Sequence, residues 1–538
     1  MSLNLSTLLK LSVAGAVLFT VGACKPADKG QGALKSKGVS ALNLSKSESG
    51  VFAKYFETDA CEVDEMEALG ALAGLGMGES GANGLSFDAR EVSGGLVTYR
   101  NLSVTPEDGQ KTTFSAKSAT FHCPKMGDEN PSFARVDMSD ILVFDAQDGV
   151  TFTAETLNLA NPTSQAARSI VGNMIRPDSS AVDEAGFGAI SVTGAKIASD
   201  DMNGTVAAMS WGEIRDDDGR GTADLTIEDV DFTVPSKNGK QNMTLKFGGM
   251  SVRNMNVGGK IDRQAAMSPD DMISSVLGNI NAFVKPYDEL IIEEMTIDSE
   301  GFAMDFGGIE GKTSEKSGVV TTRQTLKPSQ IRIKPAMADN AAMQQQYNIL
   351  KSLNFETMDF SGSAVTTLDR DDDSISVSDG LFEIQDALRL NYEYEAEGLS
   401  EMAEKMKGMS KSGAKMDLMA AYEPLKLRGM RFTMEDNSIV SRGLKLASEM
   451  TGQDEKTIKR SLGMAVFAVA MAAENDVQAE VYTETVEAFA DFVKNGGTLT
   501  IEANPPAPFP LAPLMSGKGA DIDPDALGFS ASRAGGDE

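Results

Sequence analysis

Five stretches of this chain repeat one pattern: apolar, any residue, apolar, two polar or small residues, apolar, any residue, apolar. They are Ile190–Ile197, Leu225–Phe232, Leu290–Ile297, Leu353–Phe360 and Leu425–Phe432. A β-strand sends successive side chains to opposite faces, so short alternation marks a strand with one buried face. The pair in the middle of each phrase shifts that alternation by one residue. Uncorrected, the second apolar couple would face away from the first. A strand with a bulge at the pair, or two short strands meeting at a bend, supplies the correction. Alternation alone is common to any half-buried strand; the shared mid-phrase shift is what marks these segments as a repeat.

Other segments fill in the class. Phe114–Phe121, Val136–Phe144 and Val150–Leu159 alternate as strands, and Gly149 after Asp148 suits a hairpin turn. Met66, Leu69, Leu72 and Leu75 share one helical face, and Gly-rich sequence from Gly76 to Gly84 ends that helix. Further helices are expected at Ser164–Ile175, Ser268–Val284, Ala336–Leu350, Leu399–Ala421, Asp454–Ala473 and Ala479–Val493. In the second of these, Ser268 suits an N-cap, Pro269 the first turn, and Asp270 and Asp271 the positive end of the dipole. The prolines of Pro505–Pro510 continue neither strand nor helix. The expected class is α+β, an extended twisted antiparallel sheet of repeated strand units with interspersed helices.

The expected divisions run in chain order. Residues 1–23 form a signal segment and 24–50 a tether. Residues 51–180 form a strand-rich region, 181–335 repeated strand units, 336–510 strand units with helical insertions, and 511–538 a flexible tail.

The N-terminus carries an address. Lys10 precedes an apolar run from Leu11, closed by Val21-Gly22-Ala23-Cys24. The run is too short to span a bilayer, which takes about 20 apolar residues, and reads as an export signal. Val21–Cys24 resembles the lipobox of bacterial lipoproteins. That resemblance implies cleavage before Cys24 and a palmitate-type acyl anchor on it. It also implies a periplasm-facing position in the cell envelope. Lys25, where Asp favours inner-membrane retention, leans the expectation toward the outer membrane. Residues 25–50 have little apolar pattern and suit a flexible tether. With Cys24 lipidated, Cys61 and Cys123 are left as an even pair in an oxidising compartment. A disulfide between them is expected, worth about 3–4 kcal/mol, with two buried thiols as the alternative.

Composition narrows the function classes. Net charge is −30 over 538 residues, and removing Lys10 with the signal makes it −31. Such charge repels a phosphate backbone, so no nucleic-acid partner is expected. No second apolar segment reaches spanning length; Leu462–Ala473 reads as a buried helix. His122 is the only histidine and lacks a nucleophile elbow; it is expected as a partly exposed strand residue without a catalytic role. No phosphate-binding loop, dinucleotide fingerprint or Cys pair with metal-ligand spacing occurs. Counted as calcium loops, the runs starting at Asp216 and Asp369 place Ile227 and Gly380 at the position that needs a carboxylate. Both are expected as turns. A glycosidase is disfavoured because Trp211 is the only tryptophan and the chain is aromatic-poor. No metal, cofactor or enzymatic activity is expected.

Leu399, Met402, Met406, Met409, Met416 and Met419 form one helical stripe, which either packs on the sheet or lines an adaptable apolar groove. The repeated strand phrases, the export signal and the missing catalytic motifs together resemble the AsmA-like, β-groove class of envelope lipid-transfer proteins over residues 85–510. The resemblance implies a sheet folded over an apolar trough that shields acyl chains. A lipobox stands here in place of that family's N-terminal membrane helix, and no site residue carries over. The expected function is non-catalytic binding of a lipid acyl chain or other apolar ligand in a β-sheet groove. The alternative is an envelope scaffold acting through protein–protein contacts. Ile227, Ile292 and Phe355 are expected on the inner side of the strands.

Overall fold

The computed structural model describes residues 51–58, 61, 63–81, 84–105, 112–126, 131–146, 149–162, 167, 188–215, 221–235, 242–257, 285–339, 343–402, 405, 423–461, 476–511 and 524–535. The signal, Cys24, the tether, the Ser268–Val284 helix and Leu462–Ala473 lie outside these residues, as do Met406, Met409, Met416 and Met419. The architecture is α+β, mainly β, on a twisted antiparallel sheet, the class the sequence predicts. No described helix is long and apolar enough to cross a membrane.

The chain divides into two compact units at residue 279, not at 180 and 335. The expected boundaries fall inside sheets. Strand Val150–Ala160 pairs across position 180 with Ala189–Ser199, and Val319–Ile333 pairs across position 335 with Thr357–Asp369.

The first unit opens with α1 (Ala53–Phe56) and α2 (Glu65–Gly74). Asp64 caps α2 by accepting from the Met66 amide at 2.8 Å. The sheet follows as β1 (Leu85–Ser86), β2 (Ala89–Ser93), β3 (Leu96–Val104) and β4 (Thr112–His122). A small separate pair, β5 (Lys125–Met126) and β6 (Pro131–Ser132), comes next. The sheet then continues through β7 (Arg135–Asp145), β8 (Val150–Ala160), β9 (Ala189–Ser199), β10 (Met202–Arg215), β11 (Gly221–Val234) and β12 (Met243–Val257). Strands β3, β4 and β7 to β12 pair antiparallel, each with the next.

The sequence phrase governs all eight of these strands. Register aligns their apolar positions in four rows. The first runs Val97–Phe121–Val136–Leu159–Ile190–Trp211–Leu225–Val252. The others run from Tyr99 to Met250, from Leu102 to Phe247 and from Val104 to Leu245. Every position is apolar except Gly204, where a Cβ would stand 2.0 Å from the Phe232 ring, so that ring fills the gap.

Between the second and third rows the ladder skips one position on every strand and resumes in register. The skipped residues are Asn101, Lys117, Asp140, Glu155, Gly194, Ala207, Asp229 and Gly248. On β3, β7, β9 and β11 the skipped residue has positive φ: Asn101 +50°, Asp140 +47°, Gly194 +59° and Asp229 +45°. A left-handed residue there resets the alternation, and Asn, Asp and Gly tolerate it best. Val97, Tyr99, Leu102 and Val104 consequently all face one core, with Leu72 and Leu75 of the α2 segment packed into it. A β-branched residue at this φ is expected to cost about 1–2 kcal/mol. Asp229→Val should therefore lower the urea midpoint, while Asp229→Gly should stay near the parent.

The second unit begins with β13 (Glu289–Ile292), β14 (Met295–Asp298), β15 (Phe302–Phe306), β16 (Ile309–Lys316) and β17 (Val319–Ile333). A 3₁₀ turn (Pro335–Asp339) and α3 (Gln344–Ser352) precede β18 (Thr357–Asp369), β19 (Ser374–Ile384), β20 (Leu388–Glu397) and β21 (Lys426–Asp436). Then come α4 (Ile439–Thr451), α5 (Asp476–Asn495), β22 (Thr498–Ala503), β23 (Phe509–Pro510), α6 (Pro524–Leu527) and β24 (Phe529–Ala534). Register shifts occur here at Leu326/Ser329, Ser363/Val365, Val377/Gly380 and Glu395/Ala396, and in the first unit at Ala223/Leu225.

Two phrases behave differently from the rest. Leu290–Ile297 is two short strands separated by Glu293 and Glu294. Leu353–Phe360 is not one strand: Leu353 caps α3, and β18 starts only at Thr357. The helical end takes Leu353 because its amide completes the last turn onto Ile349 O at 3.0 Å. The expected flexible tail at 511–538 is also corrected. Phe529–Ala534 pairs with β22 along its whole length, since a sheet edge can accept small and polar residues through backbone hydrogen bonds alone.

Candidate functional site

The inner face of the first unit changes character across the sheet. From β3 to β9 the first row is closed, with Phe121 fully buried and Ile190 buried, while Leu157 of the second row and Val143, Phe152 and Ile197 of the fourth are half-buried. On β11 and β12 the same rows continue; Val252 is buried, and Leu225, Ile227, Val230, Phe232, Phe247 and Met250 are half-buried. Trp211 and Ile227 pack against the rim of the core. The four rows cover about seven residue steps along a strand, roughly 24 Å at ~3.4 Å per residue. This half-open apolar surface is the candidate site.

The opposite face is polar. One row reads Thr98–Thr120–Asp137–Asn158–Ser191–Ser210–Thr226–Ser251. Side chains pair along it, Thr98 with Thr120 at 3.1 Å and Ser210 with Ser191 at 2.9 Å. The N-terminal segment covers part of this face. Phe52, Tyr55 and Phe56 cluster on Ala160 and Ala189. Gly212 makes room, since a Cβ there would come within 2.2 Å of the Tyr55 ring. Tyr55 donates to Asp224 Oδ2 at 2.8 Å, Lys54 Nζ lies 3.1 Å from the same oxygen, and the Asn254 amide donates to Oδ1 at 2.8 Å. Burial, with the Asp224 carboxylate beside it, raises the Tyr55 phenol well above its usual range.

His122 is buried, at 7 % exposure, rather than partly exposed. The reason is a clamp of opposite charges. Its Nε2 lies 2.7 Å from Asp137 Oδ2, and Arg135 donates to Asp137 through Nε at 2.7 Å and Nη2 at 2.6 Å. Arg135 Nη1 also reaches Phe56 O at 3.4 Å. Burial alone would raise the Asp137 carboxyl, but the hydrogen bonds from His122 and Arg135 outweigh it and hold the carboxyl below its usual range. Both partners of Asp137 are bases, so the group ties strands to the N-terminal segment. Next to it, Cys61 and Cys123 form a disulfide with Cα atoms 5.9 Å apart.

Of the methionine stripe, Leu399 and Met402 are described, and both are buried, at 2 % and 8 % exposure. Phe355 is buried under the Arg442 guanidinium, 5.0 Å from its ring, and Ile292 is half-buried. The Asp216 run lies outside the described residues apart from Gly221. The Asp369 run is a turn held by its own carboxylates. Asp369 Oδ1 accepts from the Asp371 amide at 3.0 Å, and Asp373 Oδ1 from the Ser400 amide at 2.8 Å. Asp372 pairs with Arg428, the extra residue of the β21 bulge, which also donates to Glu397 at 2.7 Å and Glu395 at 3.1 Å. Asp372 is thereby held below its usual range, chiefly by the Arg428 hydrogen bonds. Among the described residues no group of His, Cys, Asp and Glu is arranged to hold a metal ion.

Of this surface the sequence marks Ile227 and the Leu225–Phe232 phrase on β11, but not the rows that join them to the neighbouring strands. The signal of those rows was present in Val97–Val104, Phe114–Phe121, Val136–Val143 and Phe152–Leu159, which carry the same phrase in adjacent strands.

Fold and surface together define a mainly β, α+β protein with an apolar-faced antiparallel sheet. A family model described as "Uncharacterized protein" matches residues 381–534, within the second unit. No curated protein matches the chain.

Proposed function

We propose that this chain is a lipid-anchored, non-catalytic protein of the bacterial envelope, facing the periplasm, that holds a lipid acyl chain on the inner face of β10–β12. The observation that carries the reading is the continuation of four apolar rows past the helix-covered core onto strands where they are half-buried. None of these row residues is fully exposed, so the reading rests on a half-buried apolar face that a ligand would finish covering. A ~24 Å apolar length suits an extended acyl chain, whose burial gains roughly 0.8 kcal/mol per CH₂. The acidic surface keeps the chain away from anionic headgroups, which leaves apolar contact as the source of affinity.

The test is native mass spectrometry of the mature chain recovered from a bacterial envelope, with organic extraction of what it carries. Lipid at near one-to-one ratio is the expected result. Phe247→Glu places a charge in the third row and should cut lipid occupancy by about tenfold or more. A clean, lipid-free parent would sink the reading and favour a scaffold acting through protein contacts.

A further inference from the structure

Trp211 is the only tryptophan of the chain. It stands in the first apolar row on β10, opposite Ile190 of β9 and Leu225 of β11. Ile190 is buried and belongs to the closed core, whereas Leu225 is half-buried. The indole thus sits beside the half-buried Leu225, between the buried Ile190 and the buried Val252 of the same row. Its Nε1 is buried and has no hydrogen-bond partner among the described residues. The flanking positions of its own row and the Met209 and Ile227 positions of the next offer only apolar side chains. An indole N–H can only donate, and leaving it buried and unpaired costs more than an ordinary hydrogen bond returns. Phenylalanine would fill the row without that cost.

We infer that Trp211 Nε1, enclosed in the ligand-free chain, is uncovered when an acyl chain displaces the apolar side chains over it and donates to the carbonyl oxygen at the head of that chain, so that the ligand is an ester- or amide-linked lipid and not a bare hydrocarbon. The inference rests on the inner-face reading above. A neutral carbonyl also fits the charge: a chain of net −30 disfavours a free fatty carboxylate at an uncharged donor. The remaining hydrocarbon would run down the strand direction over the half-buried rows of β11 and β12.

The single tryptophan gives the test its local reporter. The full chain carrying Cys24→Ala, which removes the anchor, is titrated below micelle concentration with 1-palmitoyl lysophosphatidylcholine. The same titration is made with the 1-O-hexadecyl ether analogue, which lacks the carbonyl. Calorimetry gives the affinities and Trp211 emission reports on the site. The expected result is that the ester binds about fivefold to tenfold more tightly than the ether, as one hydrogen bond would give, with a change in Trp211 emission. In Trp211→Phe the two lipids should bind alike, with the ester weakened to the level of the ether. Equal binding of both lipids by the parent would overturn the carbonyl assignment and leave the inner-face reading standing. Binding of neither would remove both.

Discussion

Asp137→Ala is expected to destabilise the first unit by about 3–5 kcal/mol, the cost of breaking a buried ion pair by deleting one partner. The loss comes from what remains. Arg135, 5 % exposed, would face a site without a counter-charge, and His122 Nε2 would lose its hydrogen-bond partner. Asp137→Asn keeps the shape and an acceptor, so it should recover part of the loss, and the difference between the variants isolates the charge. The pH dependence follows with a definite sign. An unfolded aspartate titrates near about 3.9, and Asp137 in the folded chain is held below its usual range. Its stabilisation is therefore complete above the unfolded value and fades as pH falls through the lowered folded value. Urea unfolding from pH 7 down to pH 3 should show the parent losing stability toward acid more steeply than Asp137→Asn. Parallel pH profiles for the two would discard the clamp as a stabilising element.

The disulfide is the second large contribution. Cys61 and Cys123 are separated by 62 residues, and closing a loop of that length restricts the unfolded chain by about 4 kcal/mol in the chain-entropy model. The double variant Cys61→Ser, Cys123→Ser should lose stability of that order, and reductant should produce the same loss in the parent. The cross-link also fixes the end of the segment whose Phe52, Tyr55 and Phe56 lie on Ala160, Ala189 and Gly212. Hydrogen exchange at the Tyr55 amide, which donates to Phe52 O at 2.9 Å, should rise in the double variant. If the variant unfolds at the parent's urea concentration, the bridge contributes nothing to stability.

The repeat was legible in sequence at Ile190–Ile197 and Leu225–Phe232, which are β9 and β11. Val97–Val104 and Val136–Val143 fit the same pattern but pass for ordinary alternation. The partners β10 and β12 are harder to read. Gly204 stands at an apolar position of β10, and its middle pair is Ala207-Ala208, so the phrase has no visible break. In β12 the pair is Gly248-Gly249, which reads as a turn. What resolves them is cross-strand register, which a single sequence does not display. The site was hidden for a related reason. Ile227 and Val192 follow the same pattern, yet one is half-buried and the other buried. The difference lies in how far each is covered by other parts of the fold, which alternation along a strand does not encode. Likewise, nothing around His122 in sequence announces a carboxylate 15 residues away as its partner. The tail strand Phe529–Ala534 was lost because its composition is that of a loop, and its place depends on the free edge of β22.

Left-handed residues occupy only every second strand of the crease, on β3, β7, β9 and β11, while β4, β8, β10 and β12 cross it with ordinary backbone. The building tile of this surface is therefore a hairpin and not a strand. A chain of this type can grow or shrink by whole hairpins, each copy bringing one Asn, Asp or Gly and eight apolar positions that extend the existing rows. A gain or loss of a single strand would instead put two left-handed strands side by side, or two ordinary ones. The apolar area, and with it the size of cargo such a sheet accommodates, is thus set in discrete steps of two strands, about 10 Å of width at ~4.8 Å per strand.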